Sequence, residues 1–105
     1  AAIQAGLKDA TMVPLETLAA CVDVLELSTE ILAKGNPNVI SDGGAGVLAA
    51  HAGMMTAALN VQINLNAIQD EEFKREYESR MRDLLQRGEA AREKAWALVR
   101  DRLGM

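Results

Sequence analysis

A chain of 105 residues is long enough for one domain at most. Half of its residues are hydrophobic, yet it contains one Phe, one Tyr and one Trp. Its apolar mass therefore comes from Ala, Leu, Val, Ile and Met, which suits closely packed helices and suits a sandwich or barrel poorly. Fifteen acidic residues against eleven basic ones give a net charge of −4, which argues against nucleic acid and anionic membrane surfaces as partners.

Cys21 is the one cysteine and His51 is the one histidine. No internal disulfide can form, so a reducing cytoplasm is the simpler compartment. A zinc site built from soft ligands within the chain is excluded as well. The sequence begins Ala1-Ala2-Ile3, with no initiator Met and no basic segment of a signal peptide, as though cut from something longer or processed.

A first helix is predicted from Ala1 to about Lys34. Pro14 lacks the N–H that a helix interior requires, so we expect a short helix near Ala2–Ala10 that leads into a kink or a fresh start at this proline. From Leu15 onward, apolar residues recur at spacings of three and four, which predicts a core-facing stripe of Leu15, Leu18, Val22, Leu25 and Leu32. A second apolar stripe, of Val24, Leu27 and Ile31, predicts a helix that is covered on two sides.

Gly35-Asn36-Pro37-Asn38 is expected to end the first helix, because glycine favours a helix C-terminus and proline cannot continue the helix. The second helix follows this segment. We expect it to begin at Ser41 or Asp42, either of which can serve as the N-cap, and to run to about Ala67. Gly43 and Gly44 are tolerated either because a helix packs closely there or because a ligand approaches the backbone. The nearly apolar run 45–59 is shorter than the roughly 20 residues that a bilayer requires, which favours a buried helix over a membrane span.

A third helix is predicted from an N-cap at Asp70 to about Leu103. Acid-before-base pairs four residues apart indicate that its outer face is exposed to solvent. These pairs are Glu71–Arg75, Glu76–Arg80, Glu78–Arg82 and Asp83–Arg87.

Three helices joined by short turns predict an all-α, up-down-up bundle that forms a single domain over residues 1–105. The middle helix is apolar almost all round, so two neighbours cannot cover it fully. We therefore expect the bundle to be completed by oligomerisation or by protein outside this sequence.

Few residues suggest chemistry. Asn60 and Asn64 lie one turn apart on the second helix and share a face. A buried amide needs a hydrogen-bond partner, since leaving it unpaired costs about 1–3 kcal/mol. The two residues therefore either form a polar network that joins helices or recognise the donor–acceptor edge of a planar heterocycle. His51 is either a satisfied polar residue, an interface contact or a proton-transfer group. Asp42 is most simply a helix cap.

Several motifs occur in a characteristic order. Gly35-Asn36-Pro37-Asn38 precedes Ser41-Asp42, which opens a helix rich in Gly and Ala; Asn60-Val61-Gln62-Ile63-Asn64-Leu65 and Asp70 with Phe73 follow. This series resembles the formiminotransferase-cyclodeaminase/methenyltetrahydrofolate cyclohydrolase family, in which a proline also stands at the position of Pro14. The similarity covers essentially the whole chain but only about the second, C-terminal half of the family's domain.

The resemblance implies a dimerising, all-helical protein that acts on the one-carbon bridge of tetrahydrofolate, with this folate as substrate and no metal or further cofactor. Cyclohydrolases hydrate 5,10-methenyltetrahydrofolate, whereas cyclodeaminases expel ammonia from the 5-formimino form. By motif position, the candidate substrate-binding residues are Asn36, Asp42, Asn60 and Asn64. The catalytic residues stay unknown, because the family's N-terminal half has no counterpart in this sequence. The alternative is a non-catalytic, self-associating helical scaffold.

Overall fold

The computed structural model describes residues 2–35 and 39–105, which form three α-helices. Helix α1 spans Ala2–Lys34, α2 spans Ile40–Ala67 and α3 spans Glu71–Leu103. No strand occurs within these described ranges, and the predicted all-α class is confirmed. The helices form a rod with dimensions of 55 × 19 × 17 Å.

Contacts at the two ends of the rod establish the up-down-up topology. At one end, Gln4 Nε2 near the start of α1 donates to the carbonyl of Ala67 at 3.2 Å, and Gln4 Oε1 accepts from the N–H of Gln69 at 2.9 Å. At the other end, the Arg102 guanidinium of α3 donates to the carbonyl of Ala33 at 3.0 Å. Helices α1 and α3 are therefore parallel, and α2 is antiparallel to both.

The core forms where the first predicted stripe of α1 meets α2 and α3. All five apolar residues of that stripe are buried, with Leu18, Val22 and Leu25 fully so. The facing core residues of the other two helices include Val47, Met54, Val61, Leu65, Met81, Ala91, Ala95 and Val99. Burial of this continuous apolar line stabilises the three helices as one unit.

The three helices approach one another closely at Gly88 of α3. A Cβ at this position would collide with Met54 Sδ of α2 and would lie 3.1 Å from Val22 Cγ2 of α1. The missing side chain of Gly88 thus leaves the space that the fully buried Met54 occupies. This glycine is required by packing between helices and not by a turn.

Helix α2 begins at Ile40, so the prediction of an N-cap at Ser41 or Asp42 was wrong. The N-cap is Val39, which makes no side-chain cap hydrogen bond. The physical reason is that Ile40 is 1% exposed, and burying it against the core brings it into the helix. Asp42 instead lies in the first turn, where a carboxylate interacts favourably with the helix dipole.

The two glycines that follow Asp42 pack against other helices. A Cβ on Gly44 would lie 3.2 Å from Val99 Cγ1 of α3, and a Cβ on Gly43 would overlap Leu32 of α1. Close helix packing, one of the two interpretations of these glycines, therefore accounts for both.

Helix α1 continues through Pro14, so the prediction that a new helix starts at this residue was wrong. The proline removes the N–H that would bond to the carbonyl oxygen of Ala10, four residues earlier. That oxygen instead accepts a hydrogen bond from Asn64 Nδ2 of α2, at 3.1 Å. Thr11 and Leu15, on either side of the proline, are both buried and hold the two halves of α1 in the bundle.

Helices α1 and α2 expose a set of large apolar side chains that we call the exposed apolar surface. Its members are between 41% and 64% exposed and comprise Val24, Leu27, Ile31, Leu48, Met55, Leu59 and Ile63. Three of them form the second stripe of α1, which therefore has no cover within a single chain. As expected, α1 and α3 cover the middle helix on one side only.

Within the described ranges, α2 is the one helix long and apolar enough to cross a membrane. The helix has 28 residues, so it is longer than the apolar run considered above. Met54, Val61 and Leu65 of this helix are fully buried in the bundle, whereas Leu48, Met55, Leu59 and Ile63 are exposed.

Candidate functional site

A groove of about 620 Å³ lies between α1 and α2, within the usual size range of small-molecule sites. Four residues of α1 and six of α2 line it: Ala10, Val13, Pro14, Thr17, Gly53, Thr56, Ala57, Asn60, Ile63 and Asn64. Gly53 packs so closely on α1 that a Cβ there would lie 3.0 Å from Cys21 Sγ. The groove is therefore shallow at its α1–α2 contact and apolar along its walls.

Two of the predicted site residues, Asn60 and Asn64, lie together in this groove. Asn64 is half-buried and its Nδ2 donates to the carbonyl oxygen of Ala10 at 3.1 Å. Asn60, one turn earlier, is exposed. Asn64 thus joins two helices, as one interpretation predicted, while both amides remain positioned to contact a ligand in the groove.

Two hydroxyl groups add to the polar lining, and the sequence pattern gave no signal for them. Thr17 Oγ1 donates to the carbonyl of Val13 at 3.1 Å, and Thr56 Oγ1 donates to the carbonyl of Ala52 at 2.8 Å. Each hydroxyl proton is therefore engaged by its own helix, and the oxygen lone pairs remain available. The groove offers a ligand mainly hydrogen-bond acceptors, together with the whole amide of Asn60.

No side chain that titrates near neutral pH lines this groove among the described residues. Any general acid or base for chemistry in the groove must therefore come from another part of the protein or from another subunit. The groove offers a ligand apolar walls, amides and hydroxyls, and does not itself supply proton transfer.

Of the other two predicted site residues, Asp42 is not brought to the groove. Asp42 is exposed and lies eighteen residues before Asn60 on α2, which separates them by about 27 Å along the helix axis. Asn36 lies outside the described residues. Their predicted part in substrate binding stays a prediction.

His51 contacts α3 and does not line the groove. Its Nε2 lies 2.7 Å from Glu89 Oε1, and Arg92 Nε lies 3.2 Å from Glu89 Oε2. The hydrogen bond from His51, followed by that from Arg92, holds the pKa of the Glu89 carboxyl below its ordinary value, although partial burial opposes this. The interpretation of His51 as a satisfied polar residue is confirmed.

This contact predicts a specific pH dependence. The pKa of Glu89 is lowered in the folded state, so the ionised carboxylate stabilises the fold. This stabilisation is complete above the ordinary glutamate pKa of about 4.5 and is lost as the pH falls through the folded-state pKa. Glu89→Gln should therefore lower the melting temperature at pH 7, and the difference from wild type should shrink below about pH 4.5. Thermal unfolding followed by circular dichroism between pH 3 and 8 measures this.

The matched control is Glu93→Gln, an exposed residue of α3 that forms no ion pair within the described part of the chain. A melting-temperature difference for Glu89→Gln that stays constant across this pH range would contradict the assignment.

Groups of three or more His, Cys, Asp or Glu side chains arranged to hold a metal ion do not occur among residues 2–35 and 39–105. The groove itself contributes amides, hydroxyls and apolar groups. Its donor set is therefore that of an organic ligand site.

Comparison with known proteins gives a consistent result. The formiminotransferase-cyclodeaminase family matches residues 1–100. The chain is 40% identical over 103 residues to a methenyltetrahydrofolate cyclohydrolase of Methylorubrum extorquens, covering 98% of this chain and 50% of that protein. It is 39% identical over 106 residues to a formimidoyltransferase-cyclodeaminase of Sus scrofa, covering 98% of this chain and 18% of that protein.

The chain thus spans half the length, or less, of these curated relatives. The match nevertheless extends over nearly all of its own residues, including both walls of the groove. This chain belongs to the formiminotransferase-cyclodeaminase family.

Proposed function

We propose that this chain supplies the folate-binding groove of a methenyltetrahydrofolate cyclohydrolase or a formiminotetrahydrofolate cyclodeaminase. The observation that carries the proposal is its 40% identity, across almost the whole chain, to a protein named methenyltetrahydrofolate cyclohydrolase. The groove between α1 and α2 supports it, because a pair of amides on apolar walls suits one face of a planar heterocycle. The tetrahydrofolate derivative is the substrate, and no other cofactor or metal is proposed.

Both candidate reactions require a proton to be moved at the one-carbon bridge, because hydration and loss of ammonia each change the protonation of a bridge nitrogen. The groove has no described side chain that titrates near neutral pH. The chain also spans only half of the cyclohydrolase it resembles. We therefore propose that it corresponds to the C-terminal half of the family's domain and that the remaining half supplies proton transfer.

The exposed apolar surface supports a proposal of self-association, as a homodimer or a higher homo-oligomer. Seven large apolar side chains at 41–64% exposure on two adjacent helices form the kind of surface that mediates contact between proteins. The net charge of −4 supports neither nucleic acid nor an anionic membrane as a partner. We propose a cytoplasmic location, in keeping with folate metabolism.

Titration calorimetry with 5,10-methenyltetrahydrofolate tests the ligand, and the loss of methenyl absorbance tests turnover. We expect saturable binding to the isolated chain with little or no turnover. Asn60→Ala should weaken binding about two- to tenfold, because one hydrogen bond contributes roughly 0.5–1.5 kcal/mol. No binding at millimolar folate would remove the ligand from the proposal.

Gln62→Ala is the matched control for Asn60→Ala. Gln62 is also an amide on α2, but its Nε2 donates to Asn66 Oδ1 at 2.7 Å and it does not line the groove. Binding by this variant should equal that of wild type. Equal losses in both variants would show that the effect does not arise in the groove.

The alternative function is a non-catalytic helical scaffold that keeps the fold and has lost the chemistry. The lack of a titratable group in the described groove, together with the exposed apolar surface, favours it. A folate-dependent rise in melting temperature would count against this alternative. An assembled oligomer whose melting temperature is unchanged by folate would support it.

A further inference from the structure

We propose that Pro14 orients the Asn64 amide so that its Oδ1 can accept a hydrogen bond from the ligand, by leaving the Ala10 carbonyl oxygen free to bind the Asn64 amide nitrogen. The groove thereby selects a ligand edge that carries N–H donors. This inference rests on the proposed function for the identity of the ligand. The coupling between Pro14 and Asn64 rests on the structure alone.

The orientation of the Asn64 amide follows from the chemistry of its partner. The atom of Asn64 that lies 3.1 Å from the Ala10 carbonyl oxygen is Nδ2. A carbonyl oxygen can only accept a hydrogen bond, so a flipped amide would place two acceptors against each other. One N–H of Asn64 is thus engaged by the protein, and Oδ1 and the second N–H remain for the groove.

Proline at position 14 is what makes this carbonyl available. In an uninterrupted helix the Ala10 oxygen would accept from the N–H of residue 14, but Pro14 has none. The same proline lies in the wall of the groove, together with Ala10 and Asn64. The backbone hydrogen bond that the proline removes therefore lies in the wall of the groove, next to the Asn64 amide.

The neighbouring hydroxyls are hydrogen-bond acceptors toward the groove, as Asn64 Oδ1 is. Thr17 and Thr56 donate their protons to the carbonyls of Val13 and Ala52, so each presents lone pairs to the groove. A ligand edge that faces these three oxygens must bring N–H groups. The reduced pterin ring, which carries an exocyclic amino group and ring N–H groups, has this pattern.

A double-mutant cycle on stability tests the coupling without any ligand. Asn64→Ala in the wild-type background should lower the melting temperature by about 2–8 °C, because the Ala10 carbonyl exchanges its amide partner for water. In a Pro14→Ala background the restored N–H satisfies that carbonyl, so Asn64→Ala should have less than half this effect. Equal effects in the two backgrounds would overturn the coupling.

Gly6→Ala is the matched background for this cycle. It also replaces a helix-disfavouring residue of α1 by alanine, and a Cβ at Gly6 would meet nothing within 4 Å. Asn64→Ala should keep its full effect in this background. A reduced effect there would show that any stabilisation of α1, and not the restored N–H, explains the result with Pro14→Ala.

Binding of tetrahydrofolate tests the acceptor role. Pro14→Ala should weaken binding about two- to tenfold, because Asn64 must then be ordered by the ligand, and Gly6→Ala should not. In the Pro14→Ala background, Asn64→Asp keeps an acceptor and should bind no more weakly than Pro14→Ala itself. Asn64→Leu should bind several-fold more weakly. Equal binding by the Asp and Leu variants would overturn the acceptor role.

The two measurements separate the possible failures. If wild type does not bind tetrahydrofolate, the proposed function and the ligand selectivity both fail. The stability cycle then still decides whether Pro14 positions Asn64.

Discussion

Gly88→Val is expected to unfold the bundle at temperatures at which the wild type remains folded. A Cβ at Gly88 would collide with Met54 Sδ and would lie 3.1 Å from Val22 Cγ2, and both neighbours are fully buried. Overpacking of a core costs about 1–3 kcal/mol and sometimes more, and valine adds two methyl groups beyond the Cβ that already collides. With about 4–8 °C lost per kcal/mol in a domain of this size, we expect a fall of more than 10 °C in melting temperature.

Ala90→Val is the control for this substitution, because Ala90 is an exposed residue of the same helix. It should change the melting temperature by a few degrees at most. A rescue strengthens the test: Gly88→Ala should be less destabilising when Met54 is also replaced by Ala, since the side chain that it meets is then shortened. Additive losses in the double variant would show that the contact with Met54 is not the cause.

Leu59→Glu is expected to convert an assembled protein into monomers at micromolar concentration. Leu59 is 64% exposed and lies one turn from Met55 and Ile63 in the exposed apolar surface. An unpaired carboxylate buried in an interface costs several kcal/mol, whereas the same carboxylate on an isolated chain stays in water. The substitution should therefore act on assembly and leave the helical content of the monomer unchanged.

Light scattering combined with size-exclusion chromatography measures this, with circular dichroism to confirm the fold. Gln86→Glu, which adds the same charge at an exposed position of α3, should leave the assembly intact. A monomeric wild type would contradict self-association itself. An oligomer that tolerates Leu59→Glu would place the interface on another surface.

The features that the sequence predicted well depend on local spacing. The stripe from Leu15 to Leu32 is buried as predicted, and Asp70 accepts from the N–H of Phe73 at 3.1 Å as the N-cap of α3. Periodicity and capping are properties of a few consecutive residues, so they can be read without knowledge of the fold. The shared face of Asn60 and Asn64 was predictable for the same reason.

The features that it missed depend on partners far along the chain. No new helix starts at Pro14, and Asn64, 54 residues from Ala10 in sequence, donates to the carbonyl that the proline frees. Arg87 pairs with Glu26 of α1 at 2.6 Å and not with Asp83, because the packing of α3 brings a better-placed carboxylate. Such pairings follow from the way helices pack, which single-helix patterns do not specify.

One signal for the groove was nevertheless present in the sequence. A proline inside a strong helical pattern identifies the carbonyl that it leaves free, here that of Ala10. An amide on an otherwise apolar neighbouring helix, such as Asn64, is a natural donor to that carbonyl. The acceptor character of Thr17 and Thr56 is local to each helix, because each hydroxyl donates to the carbonyl four residues earlier. Their place in the groove had no such signal, since it depends on how α1 and α2 pack.

The binding of tetrahydrofolate between α1 and α2 is tested most directly by nuclear magnetic resonance of the 15N-labelled chain during titration with this ligand. We predict that the shifts concentrate on the backbone amides of Gly53 and Ala57 and on the side-chain amide of Asn60, which line the groove. Ala90 and Lys94, which line a separate cleft between α1 and α3, should not shift. Shifts confined to that second cleft, or no shifts at millimolar ligand, would contradict the account.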